Sequence, residues 1–137
     1  MTPTFLSEVE ALFSNYMVAN QAAIPFYFEN SKVPIDLDIY AVLHILPSED
    51  VLPINVGINA KSRNVGLIQV DVYGPKDTGA VATQTLAYQI GKAFKRVNLL
   101  VATEGHAVFK DPSVQSRGEV RGRHKEQMRV PYRYDFK

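Results

Sequence analysis

The last ten residues of the chain alternate between apolar side chains and mostly polar ones. The apolar positions are Met128, Val130, Tyr132, Tyr134 and Phe136, and the polar ones include Arg129, Arg133 and Asp135. Successive side chains of a β-strand point to opposite faces, so this pattern predicts a strand with one buried face. Such a strand needs neighbouring strands and a second layer against which its apolar face packs.

Two other segments repeat apolar residues with the period of a helix. The first stripe consists of Phe5, Val9, Leu12, Phe13 and Tyr16, and the second runs from Val81 to Val97. We predict a first helix that begins at Pro3, with Thr2 as its N-cap, and ends near Asn20. We predict that Asp77 or Thr78 caps the second helix. The residues expected to pack it on the sheet are Leu86, Ile90 and Phe94.

Between these helices the sequence breaks into short extended runs. Residues 25–29, 37–46, 51–58 and 66–73 are rich in aromatic and β-branched side chains, and they predict four strands. Pro53 predicts an edge position, because proline cannot donate a hydrogen bond to a neighbouring strand. The polar stretch 59–64 is expected to be the loop between the last two of these strands.

Beyond the second helix, residues 99–103 and 106–109 predict a hairpin around Glu104 and Gly105. Residues 111–126 are polar and basic, and they predict either a mobile loop or a long hairpin arm. Together the elements predict an α+β fold with two helices packed on one face of an antiparallel or mixed β-sheet. Since 137 residues can bury one sizeable core, a single domain spanning residues 1–137 is expected.

Charge is distributed unevenly along the chain although the formal net charge is only +1. Residues 1–60 carry seven acidic side chains and one lysine, for a net charge of −6. Residues 61–137 carry fourteen lysines and arginines and seven acidic side chains, for a net charge of +7. Complementary patches of this kind can steer association between molecules. Alternatively, the two halves neutralise each other inside one fold.

No residue pattern points to catalysis or to a bound cofactor. The chain has no cysteine, and His44, His106 and His124 have no second histidine or acid at metal-site spacing. Gly74 and Gly79 have the spacing of a phosphate-binding loop, but the following Lys and Ser or Thr are missing. We therefore expect no enzyme activity, no metal and no cofactor. No apolar run approaches the roughly 20 residues that span a bilayer, so no membrane partner is expected.

The densest basic stretch contains Arg117, Arg121, Arg123, Lys125 and Arg129. One hypothesis is a small nucleic-acid-binding accessory protein that uses residues 117–129. Against it, the stretch has no aromatic residue on which bases could stack before Tyr132, and the sequence pI of about 8.0 is below the values typical of such modules. The favoured hypothesis is an arm that faces solvent or a partner.

The order of elements resembles the tail-terminator (tail-completion) family of long-tailed phages. The resemblance rests on the N-terminal amphipathic helix, on the segment Pro25 to Asn30, on Gly66 to Pro75 running into Gly79, and on the helix ending Ile90-Gly91-Lys92-Ala93-Phe94. It spans most of the chain, and the basic C-terminal region matches least.

The resemblance implies a structural virion subunit without a cofactor, located at the head-proximal end of the tail and assembled in the host cytoplasm. Its implied partners are copies of itself in a hexameric ring, the tail tube protein and a head-completion or connector protein. DNA would pass through the ring lumen without sequence-specific binding. Charge and expected exposure suggest these interface residues: Lys61, Arg63, Arg117, Arg121, Arg123, Lys125, Glu49 and Asp50.

Overall fold

A computed structural model describes residues 3–29, 31, 38–58, 60–75, 80–101, 104–120 and 122–137. Its helices are α1 (Pro3–Asn20) and α2 (Val81–Phe94). Its strands are β1 (Phe26–Phe28), β2 (Tyr40–Pro53), β3 (Ser62–Gly74), β4 (Asn98–Val101), β5 (Gly105–Phe109), β6 (Ser113–Val120) and β7 (Arg123–Phe136).

All seven strands belong to one mixed sheet. The strand order is β1-β2-β3-β7-β5-β4, and β6 pairs with β7 beside that path. Only β1 and β2 run parallel, whereas the other pairs are antiparallel. β3 and β7 are paired along their whole length, from Ser62 opposite Phe136 to Gly74 opposite His124. The predicted α+β fold is therefore confirmed.

Both helices pack on the same face of this sheet. The Phe5 ring of α1 stacks on Tyr134 of β7 at 4.5 Å between ring centroids. The Phe94 ring of α2 meets Phe109 of β5 edge-on at 5.7 Å. Alternate residues of β7 from Met128 to Tyr134 are buried beneath the helices, as their spacing predicts. Neither described helix is long and apolar enough to cross a membrane.

The packing residues predicted for α2 are confirmed. Leu86, Ile90 and Phe94 are all buried, and they belong to the same core as the apolar face of β3 and β7. The helix begins at Val81 with Ala80 at its N-cap position, without a side-chain cap. The predicted caps, Asp77 and Thr78, lie outside the described residues, as does Thr2 of α1.

The structure corrects two of the predicted assignments and decides between the two alternatives for a third segment. Parts of the predicted strands 37–46 and 51–58 form one strand, β2, with an irregular register between Pro47 and Val51, and the prediction of a strand over residues 54–58 is wrong because β2 ends at Pro53. The predicted loop 59–64 is shifted towards the N-terminus, because β2 ends at Pro53 and β3 already begins opposite it at Ser62. Of the two alternatives for residues 111–126, the hairpin is the one observed, since β6 pairs with the first half of β7.

Candidate functional site

No described helix covers the face of the sheet opposite α1 and α2, which we call the open face. Residues that pair across neighbouring strands share a face, so the register places Val42, Asp71 and Gln127 on it in one row. The next row contains His44, Gln69 and Arg129. An exposed sheet face usually carries polar side chains that water solvates. Here, however, several of the polar side chains are buried by one another.

Asp71 is the centre of this arrangement, with only 3% of its surface exposed. Its carboxylate accepts hydrogen bonds from Gln69 at 3.0 Å and from Gln127 at 3.3 Å. His44 Nε2 lies 3.1 Å from Asp71 Oδ2, and Lys125 Nζ lies 3.5 Å from the same oxygen. We call these five residues the polar cluster. Because a buried carboxylate needs such partners, the cluster holds β2, β3 and β7 together on the open face.

The polar cluster raises the pKa of His44 and lowers the pKa of Asp71, so both shifts favour the charged forms. The hydrogen bond to Asp71 raises the pKa of His44 above its ordinary value, although burial opposes this effect. Burial alone would raise the pKa of Asp71, but the hydrogen bond from His44 and the nearby Lys125 ammonium lower it. The other ring nitrogen of His44 lies 3.7 Å from Glu29. The geometry therefore favours a protonated imidazole between two carboxylates.

Beside the polar cluster, tyrosines and cations form a row. The Tyr40 and Tyr73 rings stack at 4.9 Å between centroids. The Arg123 guanidinium lies 5.2 Å from the Tyr40 ring centre, and Lys125 Nζ lies 5.5 Å from the Tyr73 ring centre. Together with His44 and Asp71, these residues line a cleft of about 510 Å³, here called the cationic cleft. The Arg123 and Lys125 side chains of this cleft can attract an anion, whereas the Asp71 carboxylate in the same lining repels one.

A second cleft, of about 490 Å³, lies further along the open face, and we call it the apolar cleft. Its apolar lining includes Val65, Leu67, Val108 and Pro131. Its cationic lining consists of Arg63, Lys110 and Arg133. Arg63 donates to Asp135 at 2.7 Å, whereas Lys110 forms no ion pair with another described residue. The site therefore combines an apolar surface with positive charge.

The hairpin between β2 and β3 exposes an unusual number of aliphatic side chains. The exposed residues are Val51, Leu52, Ile54, Val56 and Ile58, which we call the apolar arm. Val56 is 92% exposed and Ile58 is fully exposed. The sequence contains no charged residue between Val51 and Ile58. Contiguous apolar surface of this kind usually marks a protein interaction site.

Two prolines limit how the arm can make contacts. The backbone N–H of Ala41 and the backbone carbonyl of Leu43 form hydrogen bonds on the β1 side of β2. Every second residue of a strand points its backbone groups to the same neighbour, so the nitrogen of Pro47 also faces the β1 side. Ile54 donates a hydrogen bond back across the hairpin, so the nitrogen of Pro53 points away from β3. Proline has no N–H to donate, and the predicted edge position of Pro53 agrees with this arrangement. The prolines oppose addition of another strand along this edge.

No protein-family model matches the chain, and no curated protein matches it. Sixteen chains of solved structures match. One of them, whose name carries no functional description, has a TM-score of 0.72 and is 18% identical in sequence. That match covers 98% of this chain and 95% of the other. The chain therefore shares its fold over nearly its whole length with that solved protein, and at this identity the likeness shows the fold alone.

The interface residues expected from sequence fall into separate places. Lys61 directly precedes β3, and its carbonyl accepts the hydrogen bond from Ile54 across the hairpin. Arg63 lies on β3 and lines the apolar cleft. Arg123 and Lys125 lie together in the cationic cleft. Glu49 and Asp50 lie within β2, where the register is irregular, and their side chains are outside the described part of the structure. Arg121 lies outside the described residues.

Besides Arg63 and Lys125, which pair with Asp135 and Asp71, two more of these basic residues bond within the chain. Arg117 donates to the side chain of Gln127 at 2.8 Å, and Arg123 donates to the backbone carbonyl of Asp38 at 2.7 Å. Reversing their charge would therefore disturb contacts of the sheet as well as any contact with a partner.

Sequence reasoning missed the polar cluster and the apolar arm. His44, Asp71 and Lys125 are far apart in sequence, and only strand pairing brings them together. The residues of the arm were interpreted as an ordinary strand, although a run without charge that contains proline and glycine is a signal of an exposed apolar turn.

Proposed function

We propose that this chain is a structural virion protein, a tail-terminator subunit of a long-tailed phage. Copies assemble into a ring, expected to be a hexamer, which caps the tail tube at its final length. The ring then presents the surface to which a head-completion or connector protein attaches. It acts without catalysis and without a cofactor, at the head-proximal end of the tail. The sequence resemblance over most of the chain motivates this proposal.

The apolar arm is the structural observation that carries the self-assembly part of the proposal. Val56 and Ile58 are almost completely exposed. Burial of such a side chain against a partner lowers the free energy by about 1.5–3 kcal/mol. A ring requires two different complementary patches on every subunit. The arm and the open face provide two dissimilar surfaces on one molecule.

Light scattering on the purified protein tests this function. We expect one species with about six times the 15.3 kDa mass of the protomer, visible as rings by negative-stain electron microscopy. Added tail tubes should acquire a ring at one end only. A protein that stays monomeric at every concentration tested would contradict the proposal.

A nucleic-acid-binding accessory protein is a second candidate, and one observation favours it. The aromatic residues missing from the basic stretch are supplied by other strands, because Tyr40 and Tyr73 lie next to Arg123 and Lys125. These cations already cover ring faces of the tyrosines, so the cleft offers charge to phosphates more readily than rings to bases.

Fluorescence anisotropy with a labelled single-stranded oligonucleotide distinguishes the two functions. The accessory protein should bind as a monomer, and its affinity should fall steeply with rising salt. Arg123→Gln should weaken that binding, whereas Lys92→Gln on α2 should leave it unchanged. Ring formation without measurable oligonucleotide binding supports the tail terminator.

A further inference from the structure

We propose that the apolar arm of one subunit docks into the apolar cleft of the next subunit. This inference rests on the proposed self-assembly and names the two surfaces that meet. The occupant of the cleft is thus a second copy of this chain. Each subunit contributes one arm and one cleft, so the contact is repeated around the assembly.

The arm has the chemistry of a segment that becomes buried on assembly. Its five aliphatic side chains are between 43% and 103% exposed, and they cluster at one hairpin. The β2–β3 ladder is paired as far as Pro53 opposite Ser62, so the strands hold the arm before it binds. A preorganised segment loses less conformational entropy on binding than a mobile one.

The apolar cleft has matching chemistry. Val65, Val108 and Pro131 present apolar surface, and Lys110 and Arg133 add positive charge. In the sequence, Glu49 and Asp50 directly precede the apolar run of the arm. In sequence, the arm segment thus combines charge opposite in sign to that of the cleft with aliphatic residues that match its apolar lining.

An arm cannot fill the cleft of its own subunit. Ser48, Arg63 and Val65 of the same hairpin already form part of the cleft wall. The tip of the arm, here Ile54, Val56 and Ile58, lies beyond Pro53 and Ser62, where the β2–β3 ladder ends, whereas Arg63 and Val65 lie on the ladder itself. Strands rise roughly 3.3 Å per residue, so Val65 in the cleft wall lies about 10 Å along β3 from Ser62, at the end of the ladder from which the tip extends. The tip thus lies past the end of the ladder that carries its own cleft, where another molecule can reach it.

The contact is heterologous, because a tip meets a cleft and not another tip. Repetition of such a contact closes into a ring when the rotation between subunits permits, and otherwise gives a filament. The prolines at the outer edge of β2 oppose direct strand pairing at this site. The arm contact is therefore a side-chain contact with defined direction.

Two variants block the opposite halves of the interface. Val56→Glu combined with Ile58→Glu places charge on the tip, where both side chains are exposed and the fold does not need them. Val65→Glu places charge in the cleft at a residue that is 40% exposed. Val81→Glu, on the exposed side of α2, is the matched control. Circular dichroism melts establish that each variant is folded.

Light scattering on the single variants and on their mixture then tests whether the arm of one subunit binds the apolar cleft of another. We expect rings from the wild type and the control, and monomers from each blocked variant alone. An equimolar mixture should form dimers, since the intact arm of the Val65→Glu protein can enter the intact cleft of the tip variant. Rings from the tip variant, or a mixture without dimers, would overturn the arm contact while leaving the proposed function standing. A monomeric wild type would instead overturn the proposed function, and this inference with it.

Discussion

His44 gives the molecule a defined dependence on pH at the level of a single residue. Its folded-state pKa is raised by Asp71, so the stabilisation is present in full below the ordinary value of about 6.5 and is lost as the pH rises through the folded value. The pKa of Asp71 is lowered, so its stabilisation is present above about pH 3.9 and is lost as the pH falls through the folded value. The cluster is therefore most stabilising in mildly acidic solution.

We expect the free energy of unfolding to decrease as the pH rises from about 6 to about 9, and His44→Gln to remove much of that decrease. Urea denaturation across this range provides the measurement. His106→Gln, at an exposed position of β5, is the matched control and should keep the wild-type slope. If the His44 variant kept the same slope as the wild type, the proposed protonation of the cluster would be wrong.

At the level of elements, α2 is held by a row of side chains on one of its faces. Phe94 is fully buried against Phe109, so Phe94→Ala should lower the free energy of unfolding by about 3–5 kcal/mol. Tyr88 of the same helix is 56% exposed, and Tyr88→Ala should cost less than about 1 kcal/mol. Chemical denaturation of both variants tests the comparison. Equal effects would contradict the packing of this face.

The whole molecule combines an apolar arm with a positively charged open face, and the two should contribute unequally to assembly. Exposed ion pairs are worth about 0–1 kcal/mol each, so apolar contacts must supply most of the affinity. Lys110→Gln should therefore raise the concentration at which rings dissociate by less than about tenfold. Lys92→Gln should leave it unchanged.

Analytical ultracentrifugation over a dilution series measures this dissociation. Addition of salt should affect the wild type weakly for the same reason. If Lys110→Gln or moderate salt dissolved the rings completely, electrostatic attraction would be the main source of affinity.

Local periodicity was enough to predict the main elements. The alternation of Met128 to Phe136 fixed one face of β7, and the stripe through Leu86, Ile90 and Phe94 fixed the buried side of α2. Both patterns follow from the repeat of the backbone itself, which places every second or every third to fourth side chain on one face. The α+β class followed because these elements need a common core.

Tertiary structure decided what the periodicities could not. The joining of residues 40–46 and 51–53 into β2 depends on pairing with β3, because a ladder can continue across a local irregularity that interrupts the sequence pattern. The polar cluster depends on the register of three strands, since a shift by one residue would turn Asp71 towards the helices and separate it from His44 and Lys125. The exposure of Ile54, Val56 and Ile58 depends on where the sheet ends, because apolar residues beyond the last strand pair, Pro53 with Ser62, have no described layer of their own chain to bury them.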